Sequence, residues 1–393
     1  MTYIRRKLAG NILDILKRGK SILLLGARQT GKTTMINQEI VPDLIYSFVD
    51  PEVRIRYEKD QTLLTRELKL TLQTWDKLPI IFIDEIQRVP NVTDIAQLLI
   101  DQKKAQFILT GSSAHKLKHG ATVNLLPGRV VALIMDPLHF DELPKNWQNL
   151  NDILLYGTLP FIVLDANNDN READLRSYVT TYLEEEIRAE ALVRNIGNFS
   201  RFLELAASES GYIVNFTKLS QDVGVASTTI IDYYQVLEDC MITLRIDPII
   251  HSISHRRLIK SPKYIFFDLG VRRACTNEGH QLPEKYLAHL FEQYIGIELI
   301  HQTRKLSSAQ LRYWRDSNNV EVDYVLETSG RYIPIEVKWT EEPSINDARH
   351  LKKFLSEYEN TDKGYIICRT PQAVEISENI IALPWQRVKE IIF

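Results

Sequence analysis

The stretch "SILLLGARQTGKTT", residues 21–34, constrains this chain more tightly than any other. An apolar strand runs into a glycine-bounded turn, and a helical pattern begins directly after it. G-x-x-x-x-G-K-T between a strand and a helix is the arrangement in which backbone N–H groups surround a phosphate. Gly26 and Gly31 let the backbone turn those groups inward, with Thr30 between them and Thr34 opening the helix, whose N-terminus adds its positive dipole end. Lys32 can reach the β- and γ-phosphates, and the Thr33 hydroxyl can ligate Mg²⁺.

Residues 20–145 continue that pattern. Strands are expected at 21–25, 44–49, 80–84, 106–111 and 129–134, separated by helical segments. Near-continuous apolar strands alternating with helices predict a parallel sheet covered on both faces. The third, "IIFIDEIQ", ends in Asp84, where a carboxylate can hold Mg²⁺ through water, and Glu85 follows where it can polarise an attacking water. The fourth ends "LTGSS", so Thr110 or Ser112 can contact the γ-phosphate or that water. Arg129, in "LPGRVV", is a candidate arginine finger from its own or a neighbouring subunit, the alternative being a surface arginine.

Composition bounds what surrounds this unit. A chain of 393 residues suggests roughly two to four domains, each with its own core. A net charge of −3 removes any global electrostatic case for nucleic acid, so such contact must come from local patches. Cys240, Cys275 and Cys368 match no metal or disulfide spacing, which fits a reducing cytoplasm. No apolar run approaches about 18 residues, and no membrane partner is expected. At the start, Ile4, Leu8, Ile12 and Leu16 recur with helical spacing and predict an amphipathic helix against the first domain.

Residues 150–195 read as helical. The segment 198–250 reads as helix, helix, a turn around Gly224, helix and an apolar "MITLRI", a helix-turn-helix with a wing. Its last helix, "ASTTIIDYYQVLEDC", has no Lys or Arg but carries Asp232, Glu238 and Asp239, which favours packing over DNA reading. The basic segment 251–263, with Arg256, Arg257, Lys260 and Lys263, is the better phosphate contact. His251 and His255, and the "HKLKH" loop at 115–119, have weak metal spacing.

Toward the C-terminus a helix (284–302), a strand (311–315), the hairpin "VEVDYVLETSGRYIPIEVKW" (320–339), a helix (344–358) and "YIICR" form a second α/β pattern. A two-residue turn at Ser329-Gly330 pairs Thr328 with Arg331 and sets Asp323 opposite Glu336, with β-carbons about 5 Å apart. Two carboxylates that close repel unless a cation sits between them. Glu336 and Lys338 share a face, and Glu292 lies on a mostly apolar helix stripe, where a carboxylate needs a partner. Glu298 looks solvent-facing. Glu292, Asp323 and Glu336 can hold Mg²⁺ against a phosphodiester, with Lys338 positioning water or offsetting charge. The alternative is a charged edge hairpin.

With these motifs assembled, the chain resembles a prokaryotic family that joins an AAA-like phosphate-loop ATPase domain to a C-terminal domain similar to the restriction-endonuclease-type nuclease fold. The resemblance rests on "GARQTGKTT", "FIDEIQ", "LTGSS", "GRVVALIMDPLHFDEL", "YGTLPF", "YVTTYLEEEI" and "VEVDYVL…IPIEVK". It implies an α/β chain with an AAA-type domain (1–145), a helical connector (146–196), a winged-helix-like region (197–263) and a nuclease-like domain (264–393). It also implies ATP and Mg²⁺ as cofactors, with DNA and further copies of the chain as partners. Two readings follow: an ATPase that licenses a Mg²⁺-dependent nuclease, or an ATP-driven switch whose nuclease-like fold only binds.

Overall fold

The computed structural model describes residues 3–391 apart from 61, 74, 114–125, 127, 184–194, 251–257, 280–282, 307 and 319. The histidine pair 251/255, Arg256, Arg257 and the 115–119 loop therefore lie outside the described residues.

The N-terminal sheet is parallel, in the order β2 (Leu44–Ser47), β3 (Ile80–Asp84), β4 (Gln106–Gly111), β1 (Ser21–Leu25), β5 (Val130–Ile134). Apolar residues fill both faces, as continuous apolar strands require. Leu23, Ile81, Ile83, Phe107 and Leu109 join one core under helix Val92–Asp101. Ile22, Leu24, Phe82 and Ile108 join the other with Ala9, Ile12, Ile15 and Leu16 of helix Leu8–Lys17. The N-terminal amphipathic helix thus packs on this domain. Because β4 lies between β1 and β3, the carboxyl ends of all three converge on one rim.

Helices Leu150–Tyr156, Asn168–Ser177 and Ile196–Ser208 lead to the pair Phe216–Val223 and Ser227–Asp239, with Gly224 at φ 82° closing the first of the two. The last of these helices buries Ile230, Tyr233, Tyr234, Val236 and Leu237, and Tyr234 stacks on Tyr264 with ring centroids 4.1 Å apart.

The second sheet has eight strands in the order β12 (Val374–Ser377), β13 (Ile380–Pro384), β11 (Gly364–Cys368), β10 (Arg331–Val337), β9 (Glu321–Thr328), β8 (Ala309–Arg315), β6 (Thr243–Pro248), β7 (Lys263–Phe266). The boundary expected after residue 263 falls inside β7. β6, expected as a wing, pairs in parallel with β8 and antiparallel with β7. The physical reason is burial. Leu244, Ile246, Ile265 and Phe266 enter one core with Leu290, Phe291 and Ile295 of helix Glu284–Thr303.

The β9–β10 hairpin has the expected register, Arg331 opposite Thr328 through to Ile335 opposite Tyr324. Ser329 (φ 47°) and Gly330 (φ 79°) are both left-handed, as the tight turn matching strand twist requires. Helix Arg349–Glu357 covers one face of this sheet through Leu351 and Phe354, against Val325 and Ile366. Helix Glu284–Thr303 covers the other, where Tyr324 donates its hydroxyl to Glu292 O at 2.9 Å. That contact depends on Gly296: a β-carbon there would stand 2.5 Å from the Tyr324 hydroxyl and 2.8 Å from Ile265 Cδ1. Gly296→Ala is therefore expected to destabilise the chain by about 1–3 kcal/mol. An unchanged denaturant midpoint would show that this helix tolerates a looser seat.

Candidate functional sites

The phosphate loop lies on the rim where β1, β3 and β4 end. Gly26 has no room for a side chain, since a β-carbon would collide with the Met135 carbonyl oxygen, and Gly31 is left-handed at φ 94°. Thr30 Oγ1 donates to Ala27 O (2.9 Å), and Lys32, buried, donates through Nζ to Gly26 O (2.8 Å) and Ala27 O (3.0 Å). Two carbonyls thus hold the ammonium where phosphate oxygens would replace them.

Asp84 is bracketed by two hydroxyls, Thr33 Oγ1 at 2.9 Å and Thr110 Oγ1 at 2.6 Å. Burial pushes its carboxyl above the ordinary range, and those two hydrogen bonds oppose the shift. Glu85 is left-handed (φ 57°) and buried, with Oε2 accepting from Ser112 Oγ (2.8 Å) and from Gln87 Nε2. Thr110 and Ser112 therefore position the acid pair. Gln87 joins them, a residue that sequence reasoning did not single out.

Beside the loop opens a cavity of about 590 Å³, lined by Ile4, Gln29, Gly31, Thr34, Phe161 and Leu164 among others. It is bounded by the N-terminal segment and the helical connector, which the local sequence pattern gave no reason to expect.

In the C-terminal sheet, Ile335 and Val337 point into the core, while Glu336, 1% exposed, faces helix Arg349–Glu357. Glu336 Oε2 accepts from Lys338 Nζ at 2.7 Å. Its other oxygen accepts no hydrogen bond among the described residues and lies 3.6 Å from His350 Nδ1. Asp323 Oδ2 accepts from the Val337 N–H at 2.8 Å. Burial and the charge of Asp323 push Glu336 up to about 7. Although burial pulls Lys338 down, Asp323 and Glu336 hold it above its ordinary value.

Glu292 is not without a partner, as its apolar stripe had suggested. Lys263, the last residue of the basic segment expected to contact phosphate, is buried on β7, 3.6 Å from Glu292 and 2.6 Å from Glu321. An ammonium removed from water needs carboxylates, and β7 carries it under the helix where they stand. Burial and then Asp323 push Glu292 up to about 8, although 24% of its side-chain surface stays in contact with solvent, which screens part of the effect. Glu292, Asp323 and Glu336 share one electrostatic neighbourhood, but they are not among the described groups whose ligand atoms all lie within 4.8 Å. Glu298, expected to face solvent, is buried and accepts from the Phe140 N–H at 3.1 Å.

Residues 18–144 match the family model described as an AAA domain. The N-terminal domain is an AAA-type phosphate-loop domain. Residues 148–281 and 287–388 match two families each described as a domain of unknown function (DUF8612 and DUF4143). Over 392 residues the chain is 26% identical to the uncharacterized protein Rv2008c of Mycobacterium tuberculosis, covering 99% of this chain and 85% of that one. It is 23% identical to the uncharacterized protein MJ1637 of Methanocaldococcus jannaschii, covering 93% and 83%. Among solved structures, the Walker-type ATPase PABY2304 of Pyrococcus abyssi aligns with a TM-score of 0.47 at 12% identity, covering 70% of this chain and 96% of that one. No helix among the described residues is long and apolar enough to cross a membrane.

Within the AAA domain, Arg129 does not approach its own phosphate loop. β5 runs parallel to β1, with Val130 beside Ser21, so Arg129 stands at the opposite rim, on the order of 16 Å away. Its guanidinium pairs with Asp101 at 2.7 and 3.0 Å. This removes the within-subunit finger.

The acid cluster sets a pH dependence. Glu292 and Glu336 hold protons in the folded chain that the unfolded chain releases near its ordinary carboxylate range. The folded state therefore binds more protons between about pH 5 and pH 8, and stability falls as pH rises through that window. The slope is up to about 1.4 kcal/mol per pH unit for each group. Urea midpoints across this window should fall more steeply in wild type than in Glu292→Gln/Glu336→Gln. Equal slopes would show that these carboxyls are ordinary.

Proposed function

We propose that this chain hydrolyses ATP in its AAA domain and uses the nucleotide cycle to govern a C-terminal acid–lysine site that acts on DNA phosphodiesters with a divalent cation. One observation carries the first half. Thr33, Asp84 and Thr110 form a hydrogen-bonded row beside Lys32, with Glu85 held next to it by Ser112 and Gln87. A hydroxyl and a carboxylate 2.9 Å apart at the loop fit Mg²⁺, which Thr33 and Asp84 would hold and which supplies charge neutralisation at the phosphates. Lys32 exchanges its two carbonyl partners for β- and γ-phosphate oxygens. Glu85 orients the attacking water. The apolar cavity by Phe161 and Leu164 takes the adenine, while polar Gln29 and Thr34 face the ribose and phosphates.

The second half rests on Glu336. A buried carboxylate oxygen with no hydrogen-bond partner among the described residues, one residue past the Ile335–Tyr324 pair and within the field of Asp323, fits a divalent cation held by Asp323 and Glu336. Lys338 then offsets charge on the phosphoryl oxygens. A switch reading is favoured by a different observation: Asp323 already accepts the Val337 N–H and Lys338 already pairs with Glu336. In either reading Arg129 serves an AAA site only across an interface between copies of the chain.

Lys32→Ala is expected to lower ATP turnover on the order of 100-fold or more, and Glu85→Gln to keep ATP binding while losing turnover. Wild-type turnover in Lys32→Ala would overturn the loop assignment. Linear, branched and supercoiled DNA incubated with Mg²⁺ or Mn²⁺, with and without ATP, should be cut by wild type and spared by Asp323→Ala and Lys338→Ala. No cleavage above those variants leaves the switch reading standing.

A further inference from the structure

Between the two sheets, the segment after β5 meets the C-terminal end of helix Glu284–Thr303. Asp136, His139 and His301 come together there, each offering a ligand atom, and these atoms all lie within 4.8 Å of one another. The two imidazoles lie with centroids 4.2 Å apart, tilted by 59°. His301 is 2% exposed, and neither of its ring nitrogens has a hydrogen-bond partner among the described residues. Its nearest charged neighbour, Asp136 Oδ2, stands 3.7 Å from Nε2, too far for a hydrogen bond. A buried imidazole with both nitrogens unmatched is costly, and protein groups here do not relieve it.

We propose that Asp136, His139 and His301 hold a transition-metal ion of the zinc class across the junction between the AAA domain and the C-terminal sheet. Two imidazole nitrogens and one carboxylate oxygen select such ions over Mg²⁺ or Ca²⁺, which want oxygen donors. The carboxylate is already oriented. Arg304 holds Asp136 Oδ1, and Arg6 Nη2 donates to the Asp136 backbone oxygen at 2.8 Å, leaving Oδ2 free to ligate. Burial keeps His139 and His301 neutral, so their lone pairs are available. Tetrahedral zinc places donors roughly 3.4 Å apart, and rotation of the half-buried His139 ring supplies the closure. A cavity of about 480 Å³ reaches the three residues and gives the ion an entry and water for a fourth ligand. The cations Arg6, Arg304 and Lys305 oppose the ion, and Asp141 and Glu142 on the same cavity wall offset them.

The site would tie the C-terminal helix to the floor of the phosphate loop. Met135, next to Asp136, is the residue that abuts Gly26. Arg6 bridges Thr30 O and Asp136 O. The ion is thus a clasp between domains, and its binding does not require nucleotide.

The test uses the full chain, stripped with chelator and titrated with Co²⁺ and then Zn²⁺. Wild type should gain, from about one equivalent of Co²⁺, the visible absorption of a low-coordinate nitrogen/oxygen site, distinct from the weak band of any Co²⁺ on the all-oxygen hairpin acids, and Zn²⁺ should displace it. His139→Ala and His301→Asn should each lose that equivalent, while Glu336→Gln, altered in the other acid cluster, should keep it. Because His139 is only half buried, its variant is expected to fold even if the His301 variant does not. Wild type that retains no Co²⁺ or Zn²⁺ after gel filtration would overturn the proposal. So would equal retention by wild type and His139→Ala, or loss of the band in Glu336→Gln alone.

Discussion

The buried guanidinium of Arg6 holds the nucleotide loop to the rest of the chain through three fixed carbonyls and one carboxylate. Nη1 donates to Thr30 O at 2.7 Å, Nη2 donates to Asp136 O and Pro137 O, and Nε pairs with Glu142 at 3.1 Å. An arginine only 4% exposed is tolerable because each of its donor nitrogens is matched. The planar fork fixes geometry as well as charge, which a lysine would not do. Any movement of the loop as phosphates enter must therefore move the 136–142 segment or break this set. That segment is also where the C-terminal domain makes contact, through Arg304 on Asp136 and Glu298 on the Phe140 N–H.

This connection is the physical route by which the coupling proposed above would run between the two sites. Helix Glu284–Thr303 meets the AAA domain at its C-terminal end and carries Glu292 toward Lys263 and the hairpin acids nearer its start. A helix packed through Leu290, Phe291 and Ile295 would move as a body, so that in the proposed coupling a displacement at Arg304 would reach Glu292 without unfolding anything between. Lys263 and Lys338 hold the acids of the hairpin in their present arrangement. Changing the separation of those charges is a few-ångström event that a helix shift of ordinary size can produce.

Local pattern was enough for the features whose chemistry is written in consecutive residues. The glycines at 26 and 31, Asp84 at a strand end, and the turn at Ser329-Gly330 with its register as far as Ile335 opposite Tyr324 were all legible, because strand parity and turn counting are local rules. What local pattern misread was solvent. Lys263 sat in a run of basic residues and looked exposed; Glu298 sat beside polar neighbours on a helix and looked exposed too. Both are buried, since β7 pairs with β6 at the edge of the sheet beneath the helix that carries Glu292, and that helix is covered at Glu298 by the 136–142 segment. The within-subunit alternative for Arg129 fell for a related reason. Its place in the chain says nothing about which rim of the sheet it occupies relative to the loop, and strand direction decided that.

By itself the sequence determined a strand–loop–helix that binds phosphate, a parallel sheet around it, and a hairpin register that faces two carboxylates together, because each follows from backbone geometry over a few residues. Only the tertiary structure decided that Lys263 stands beside Glu292 and pairs with Glu321, that Thr110 and Ser112 serve the acid pair, and that Asp136, His139 and His301 meet. Those pairings join residues far apart in the chain, and no periodicity in sequence specifies which buried charges will find one another when the sheets close.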